Sequence, residues 1–387
     1  MPLAFCIFHK EQNHMVKRIL QYFRRETVLS AALVCALLSF LLTPPSVIHL
    51  QGIDTTTLLM LFSLMTIVAG FRRMGALDAV SRKLTRCVTT LRGLSAVMVA
   101  LCFVLSMLVT NDVALLTLVP LTLLLFRACG QKSTIWTVVL ETVAANLGSM
   151  VTPIGNPQNL YLYTSGRLTA LDFLTLLAPY AAVALALLMA LCLLLPRERV
   201  AVDTSARAPL AGKMLTLYGA LSALALLAIA KVLPAWALAG AVLLGTLALD
   251  RGTIRQVDYT LLATFVCFFV FVASVKACVP VRAWLETMMA RSPMAVALLT
   301  SQVISNVPAC LLLSPFTQDA KALALGVDLG GLGTLIASLA SLISFRLYGA
   351  GEGAQKGRYF AVFTGVNVLF LAVMLFLAVM LFLAAIL

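Results

Sequence analysis

Four polar clusters interrupt long apolar runs in this chain. They are Thr110-Asn111-Asp112, Thr152-Pro153-Ile154-Gly155-Asn156-Pro157-Gln158-Asn159, Ser305-Asn306-Val307-Pro308, and a stretch of small and polar residues holding Asp328, Gly330, Gly331, Gly333, Thr334, Ser338 and Ser341. Carboxylate and amide oxygens suit a cation or a proton. Hydroxyls and free backbone N–H groups suit an anion, because half-helix N-termini carry partial positive charge. An ionised Asp in an apolar setting costs about 3 kcal/mol or more unless it is paired or ligated. Asp112 therefore marks an ion or proton site, or else caps the helix that follows, a role Asp and Asn also favour. In the second cluster two prolines remove donors and Gly155 lets the backbone bend. The amides of Asn156, Gln158 and Asn159 are costly for a kink that serves packing alone. The fourth cluster permits close backbone approach, for a ligand or for helix packing. Glu141 lies in mid-helix and either relays protons or pairs with a Lys or Arg.

The elements that must position these clusters are membrane helices. Of 387 residues, 62% are hydrophobic and 11% charged, against about 25% charged in soluble domains. The apolar runs are continuous, as in Gly219–Ala230, and lack the alternation of a membrane β-barrel. They predict spans at 27–43, 55–71, 168–195, 214–231, 233–250, 257–279 and 359–387. They also predict hairpins at 93–127 and 293–317 and broken helices at 133–163 and 320–345. The arms of 293–317 are too short to cross a core about 30 Å thick, so a re-entrant hairpin is expected there. The arms of 93–127 are long enough to leave two full spans open. Residues 72–92 read as an amphipathic surface helix, with Met74, Leu77, Val80, Leu84, Val88 and Leu91 at helical spacing. The run Thr27–Thr43 lacks a signal-peptidase pattern and is kept as a helix.

With the N-terminus inside, 22 of the 28 Lys and Arg fall in inside segments and six outside, leaving the C-terminus outside. The net charge of +13 is thus explained by orientation without nucleic acid. The nine cysteines form no Cys-x-x-Cys pair, and the histidines, His9, His14 and His49, lie outside the predicted spans. Neither disulfides nor a metal centre is expected. An intramembrane enzyme would need a Ser/His or paired-Asp centre, and an ATP-driven pump a phosphate-binding loop; neither pattern is present. A channel fits broken helices in opposite halves less well than alternating access does.

The two halves resemble one another. Thr110-Asn111-Asp112-Val113-Ala114 matches Ser305-Asn306-Val307-Pro308-Ala309. Residues 146–160 align without gaps to 328–342, with Leu, Gly, Thr, Ile and Leu shared. Each half runs hairpin, broken helix, long span, and the hairpins open from opposite sides. The expectation is an all-α polytopic membrane protein of two inverted repeats, 27–195 and 214–387. A cytoplasmic segment 1–26 precedes them and a cytoplasmic linker 196–213 joins them.

The motifs TNDVALLTLVPL (110–121), TPIGNPQNL (152–160) and SQVISNVPACLLL (301–313) resemble the ion transporter superfamily. Within it they are most similar to the arsenite-pump and sodium/proton-antiporter branch, especially its bacterial inner-membrane anion permeases; the citrate carriers belong to the same superfamily. The resemblance covers about residues 27–387. It implies a scaffold and a transport domain, a homodimer in the bilayer, and elevator-type alternating access. It also implies that Asn111 and Asn306 keep the tip role they have in dicarboxylate carriers. The third tip positions, Asp112 and Val307, depart from the carriers' Ser-Asn-Thr pattern.

The expected function is secondary active transport of a small anion or oxyacid, such as arsenite, an inorganic anion or a carboxylate, across a bacterial inner membrane. Coupling is to H⁺ or Na⁺, the latter a candidate coupling ion, with no other cofactor. The expected substrate- and ion-binding residues are Thr110, Asn111, Asp112, Thr152, Gly155, Asn156, Asn159, Ser305, Asn306, Gly333, Thr334 and Ser338, with Glu141 as a proton relay. A cation/proton antiporter is the alternative.

Overall fold

The structure, a computed structural model, describes residues 26–76, 79, 83, 88–127, 129–199, 212–351 and 353–386. The segment 1–25, most of 77–87 with Leu77, Val80 and Leu84 of the expected surface helix, and 200–211 of the linker lie outside the described residues.

Among the described residues the chain is helical apart from an isolated bridge between Thr90 and Arg199. In order the helices are α1 (Thr27–Ser39), α2 (Val47–Gln51), α3 (Thr55–Arg73), α4 (Leu91–Leu108), α5 (Asn111–Leu125), α6 (Gln131–Ser149), α7 (Pro157–Thr164), α8 (Ala170–Cys192) and α9 (Gly212–Ile229). There follow α10 (Ala235–Leu249), α11 (Arg251–Ile254), α12 (Tyr259–Ala277), α13 (Val279–Arg291), α14 (Pro293–Ile304), α15 (Asn306–Leu313), α16 (Ala320–Gly330), α17 (Leu339–Gly349) and α18 (Lys356–Ile386). Six of them, α3, α4, α8, α9, α12 and α18, are long and apolar enough to cross a membrane.

Several elements differ from expectation. The spans read at 27–43 and 233–250 are helices of 13 and 15 residues, roughly 20 and 22 Å at 1.5 Å per residue. Pro44-Pro45 follows the first, and Pro234 fixes the start of the second. Between the span read at 257–279 and the hairpin read at 293–317, residues Val279–Arg291 form α13. The short α2 closes on itself through a reciprocal cap between Ser46 and His49.

The chain divides into two compact units, Met1–Leu58 with Asp258–Trp284, and Leu59–Val257 with Leu285–Leu387. In the first unit α1, α2 and α12 meet at Ser274. Its hydroxyl is 2.9 Å from both the Ser39 hydroxyl and His49 Nε2. His49, expected merely outside the spans, is buried and part of this polar knot.

In the second unit α4 and α5 form one hairpin and α14 and α15 another. Each packs against its own broken helix, α6–α7 and α16–α17 respectively. Close packing rests on matched small residues. A Cβ on Gly148 of α6 would overlap the Phe103 carbonyl of α4, and one on Gly330 of α16 would stand 2.7 Å from the Ser301 Cβ of α14. The map that places Asn306 on Asn111 and Asp328 on Asn146 also places Gly330 on Gly148 and Ser301 on Ser106. Ser106 lies against Gly148 as Ser301 lies against Gly330. The hairpin arms are unequal: α4 and α5 have 18 and 15 residues, α14 and α15 only 12 and 8. Side-chain caps set the starts. Thr90 accepts from Gly93 N, Thr110 from Val113 N, Asn156 from Asn159 N, and Asp319 from Ala322 N.

Candidate functional site

Each hairpin tip docks on the break of its own repeat through its backbone. Asn111 N–H donates to the Gly155 carbonyl at 3.0 Å, and Asn306 N–H donates to the Ala337 carbonyl at 2.9 Å. Ala337 is the residue the internal alignment places on Gly155. The side chains repeat the arrangement. Asn111 Oδ1 accepts from Asp112 N at 2.9 Å, and Asn306 Oδ1 from Val307 N at 3.0 Å. Thr152 Oγ1 donates to the Met107 carbonyl at 2.7 Å, and Thr334 Oγ1 to the Gln302 carbonyl at 3.1 Å. These carbonyls lie four residues before the two tip asparagines.

A second pair of contacts crosses between the repeats. Ser338, the N-cap of α17, donates from Oγ to Asn146 Oδ1 on α6 at 2.9 Å. Asn156, the N-cap of α7, donates from Nδ2 to Asp328 Oδ1 on α16 at 3.1 Å. Exchanging the repeats turns each of these contacts into the other. Such reciprocity is what a two-fold relation produces, and it is the inverted repeat seen at atomic scale. Backbone carbonyls freed at the breaks are met by side chains of their own half, Met150 by Asn159 and Gly330 and Leu332 by Gln302, as buried backbone at membrane depth requires.

The expected site residues therefore separate into two layers. Asn111, Gly155, Asn156, Asn159, Ser305, Asn306 and Ser338 are buried and mutually close through these bonds. A Cβ on Gly155 would overlap the Ser149 carbonyl. Asn159 Nδ2 donates to the Met150 carbonyl at 2.9 Å and so closes the end of α6. Thr110, Thr152, Gly333 and Thr334 lie further out; Thr152 and Thr334 tie the breaks to the hairpins, and Thr110 caps α5. Gly333 has φ of 109° and lies against the Gln302 amide. That amide donates to the Gly330 and Leu332 carbonyls, each at 2.8 Å.

Two expectations about single residues are corrected. Asp112 is not the cap of α5; Thr110 is, and Asp112 sits half-buried in the first turn, where a negative charge favours the helix dipole. Asp172 is the third residue of a capping box with Thr169 at the start of α8, and it also pairs with Lys321 at 2.9 Å. Glu141 has no Lys or Arg partner among the described residues. It is fully buried, its Oε1 accepts from the Thr122 hydroxyl, and its Oε2 is unpartnered. It lies five residues before Asn146, outside the bonded cluster. One turn from Asn146, Thr142 continues a hydroxyl chain to Ser344 at 2.6 Å and Tyr359 at 2.9 Å.

The residues absent from the expected set are Asn146, Gln158, Asp328 and Ser341. Asn146 accepts from Ser338 and, at 3.4 Å, from Asn111, and donates to Ser341 Oγ at 3.3 Å. Asp328 Oδ1 accepts from Gln158 Nε2 at 3.0 Å as well as from Asn156. The signal was present: Asn146 and Asp328 open the two segments that align. A cavity of about 570 Å³ lies toward the α5–α6 turn, lined by Arg127, Gln131, Thr134 and Tyr348 among others, and none of the expected site residues borders it.

Known proteins give the same class. The citrate transporter family (CitMHS) matches residues 15–322. Inner membrane protein YbiR of Escherichia coli is 33% identical over 305 residues, 76% of this chain and 80% of that protein. An uncharacterised transporter of Methanocaldococcus jannaschii is 31% identical over 354 residues, 88% and 93% of the two chains. The YdaH transporter of Alcanivorax borkumensis, described as having an unusual topology, covers 84% of this chain and 85% of its own at a TM-score of 0.50 and 15% identity. That last likeness speaks to fold alone. The protein is a multi-pass membrane transporter, and this chain belongs to the citrate transporter (CitMHS) family.

Proposed function

We propose that this protein is a secondary active transporter of a small anion or oxyacid, working by alternating access and coupled to H⁺ or Na⁺. The observation that carries the reading is the two-fold set of contacts in which each hairpin tip meets a broken helix and each break reaches into the other repeat. Sites of secondary transporters lie at such repeat interfaces, near the bilayer midplane. Thr110, Asn111 and Asp112 on one tip, and Ser305 and Asn306 on the other, face the substrate. The breaks, with Thr152, Gly155, Asn156 and Asn159 in one half and Gly333, Thr334 and Ser338 in the other, supply hydroxyls and helix N-termini suited to an anion. The excess of Lys and Arg on one side supports an inside N-terminus and an outside C-terminus. A homodimer, as the family resemblance implies, completes the proposal.

A cation/proton antiporter is the second reading. It is favoured by two buried carboxyls, Glu141 and Asp328, with no cationic side chain bonded to either among the described residues.

Thermal unfolding of the purified protein against arsenite, antimonite, sulfate, phosphate, and di- and tricarboxylates separates the two. Each solute is tested with and without Na⁺ and at two pH values. A ligand at 100 times its Kd stabilises by about 2.7 kcal/mol. The anion reading expects stabilisation by one anion class, lost when Asn111 or Asn306 is changed to Ala. Stabilisation by Na⁺ or Li⁺ alone, with none from any anion, replaces it with the antiporter.

A further inference from the structure

The two halves of the crossed cluster differ in one respect that their symmetry makes legible. In the Asn146 half both polar atoms of the Asn146 side chain are used. Asn146 Oδ1 accepts from Ser338 and Asn111, and its Nδ2 donates to Ser341. In the Asp328 half Oδ1 is likewise filled, by Asn156 and Gln158. Yet Asp328 Oδ2, Asn159 Oδ1 and Gln158 Oε1 are all buried acceptors without a partner. The repeat map equates Ser341 with Asn159. The bond missing from this half is therefore the one that Asn146 Nδ2 makes to Ser341. A hydrogen on the second oxygen of Asp328 supplies it.

We propose that Asp328 takes up and releases the coupling proton, and that its protonated Oδ2 donates to Asn159 Oδ1 as Asn146 Nδ2 donates to Ser341. This rests on the transporter reading above and names the ion and the group that carries it. Uptake forms one O–H bond on the carboxylate from a proton of the aqueous side then open. Release returns that proton to water on the other side, and nothing is oxidised or reduced. With the proton, Asp328 Oδ2 and Asn159 Oδ1 satisfy one another, and of the three acceptors Gln158 Oε1 is left. Without it, an anion and two amide oxygens share a dry site, an arrangement that favours opening the cluster to water.

The surroundings leave the proton to this site. Asn159 stands beside the Asp328 carboxylate, and the groups acting on it are neutral amides. Of the elements packed on α16, α14 carries no titratable side chain. On α15, Cys310 lies nearest, a neutral thiol whose Sγ is 3.9 Å from the Gln158 carbonyl. On α7, Tyr161 bonds to Ser314, and the Tyr163 hydroxyl donates to the Ile229 carbonyl. On α8, Asp172 pairs with Lys321, which lies on α16 itself seven residues before Asp328. On α6, Glu141 is bonded to Thr122.

Infrared difference spectroscopy of the reconstituted full chain across a pH series tests this with the proton itself as the probe. The expected result is a buried-carboxyl C=O band that titrates in the wild type, is lost in Asp328→Asn and persists in Glu141→Gln. Asn159→Leu, which removes the acceptor together with the bond to the Met150 carbonyl, is expected to shift the band without abolishing it. A band that survives Asp328→Asn, one that vanishes with Glu141→Gln, or none in the wild type overturns the assignment. If Asp328→Asn does not yield folded protein, the Asn159→Leu shift decides, and an unmoved band counts against. The readout involves no transported solute, so its failure and the failure of the ligand panel are separate results.

Discussion

The first tip-and-break pair and the second have the same bonding plan with different side chains, and the difference separates what the architecture demands from what chemistry was added. Both tips put an asparagine N–H on a break carbonyl, and both breaks tie back to the hairpin through a threonine hydroxyl. Those contacts are the architecture. The fillings diverge. The first half ends α6 in a neutral amide served by hydroxyls. The second ends α16 in a carboxylate served by amides, with Gln158 added where the other half has Ala340. Backbone strain is unequal as well: Thr110 is extended, whereas Ser305 has φ of 75°.

The comparison breaks most visibly at the two helix ends. Asn146→Asp places an anion where hydroxyls and one amide are already satisfied, and is expected to cost about 3–5 kcal/mol. Asp328→Asn supplies the missing donor and is expected to cost less than about 1 kcal/mol. Denaturant titration in detergent measures both, and equal losses would dissolve the distinction. Next come the break carbonyls. Gly155→Ala drives a Cβ into the Ser149 carbonyl and is expected to cost about 1–3 kcal/mol. Ala337→Gly at the equivalent position loses only about 0.5–1 kcal/mol of backbone entropy. Thermal unfolding ranks them.

The tips should respond with opposite sign. Thr110→Ala removes a helix cap and about 1 kcal/mol, while Ser305→Gly relieves a positive-φ serine, a strain of about 1–3 kcal/mol, and is expected to gain stability. A destabilised Ser305→Gly would show that the serine hydroxyl, 3.4 Å from the Ala337 carbonyl, outweighs the strain. The smallest effect sharpens the symmetry. Thr152→Val is expected to cost about 1 kcal/mol, and Thr334→Val a few tenths, since Thr334 is exposed and water replaces its bond.

Much of this was legible in the residues. Apolar runs without alternation fix a helical membrane protein, since the bilayer admits only helices and closed barrels. The polar clusters mark where helices break, because Pro, Gly and amide residues cannot continue an apolar span at low cost. The gapless match of 146–160 with 328–342 locates the repeat and aligns Gly155 with Ala337. Helix ends were less legible. The runs at 27–43 and 233–250 are apolar enough for spans but end early, since hydropathy does not register the helix limits that Pro44-Pro45 and Pro234 impose.

What the sequence determined by itself is the class, the repeat, and the positions where polar groups must enter the membrane. These follow from composition and local pattern, which the solvent reads residue by residue. What only the tertiary structure decided is partnership. That Glu141 meets Thr122 rather than a cation, that Ser338 serves Asn146, and that Asn156 and Gln158 serve Asp328 depends on contacts between residues 19, 192, 172 and 170 positions apart. Such pairs arise when two breaks from opposite repeats fold onto one another, and no local propensity specifies them.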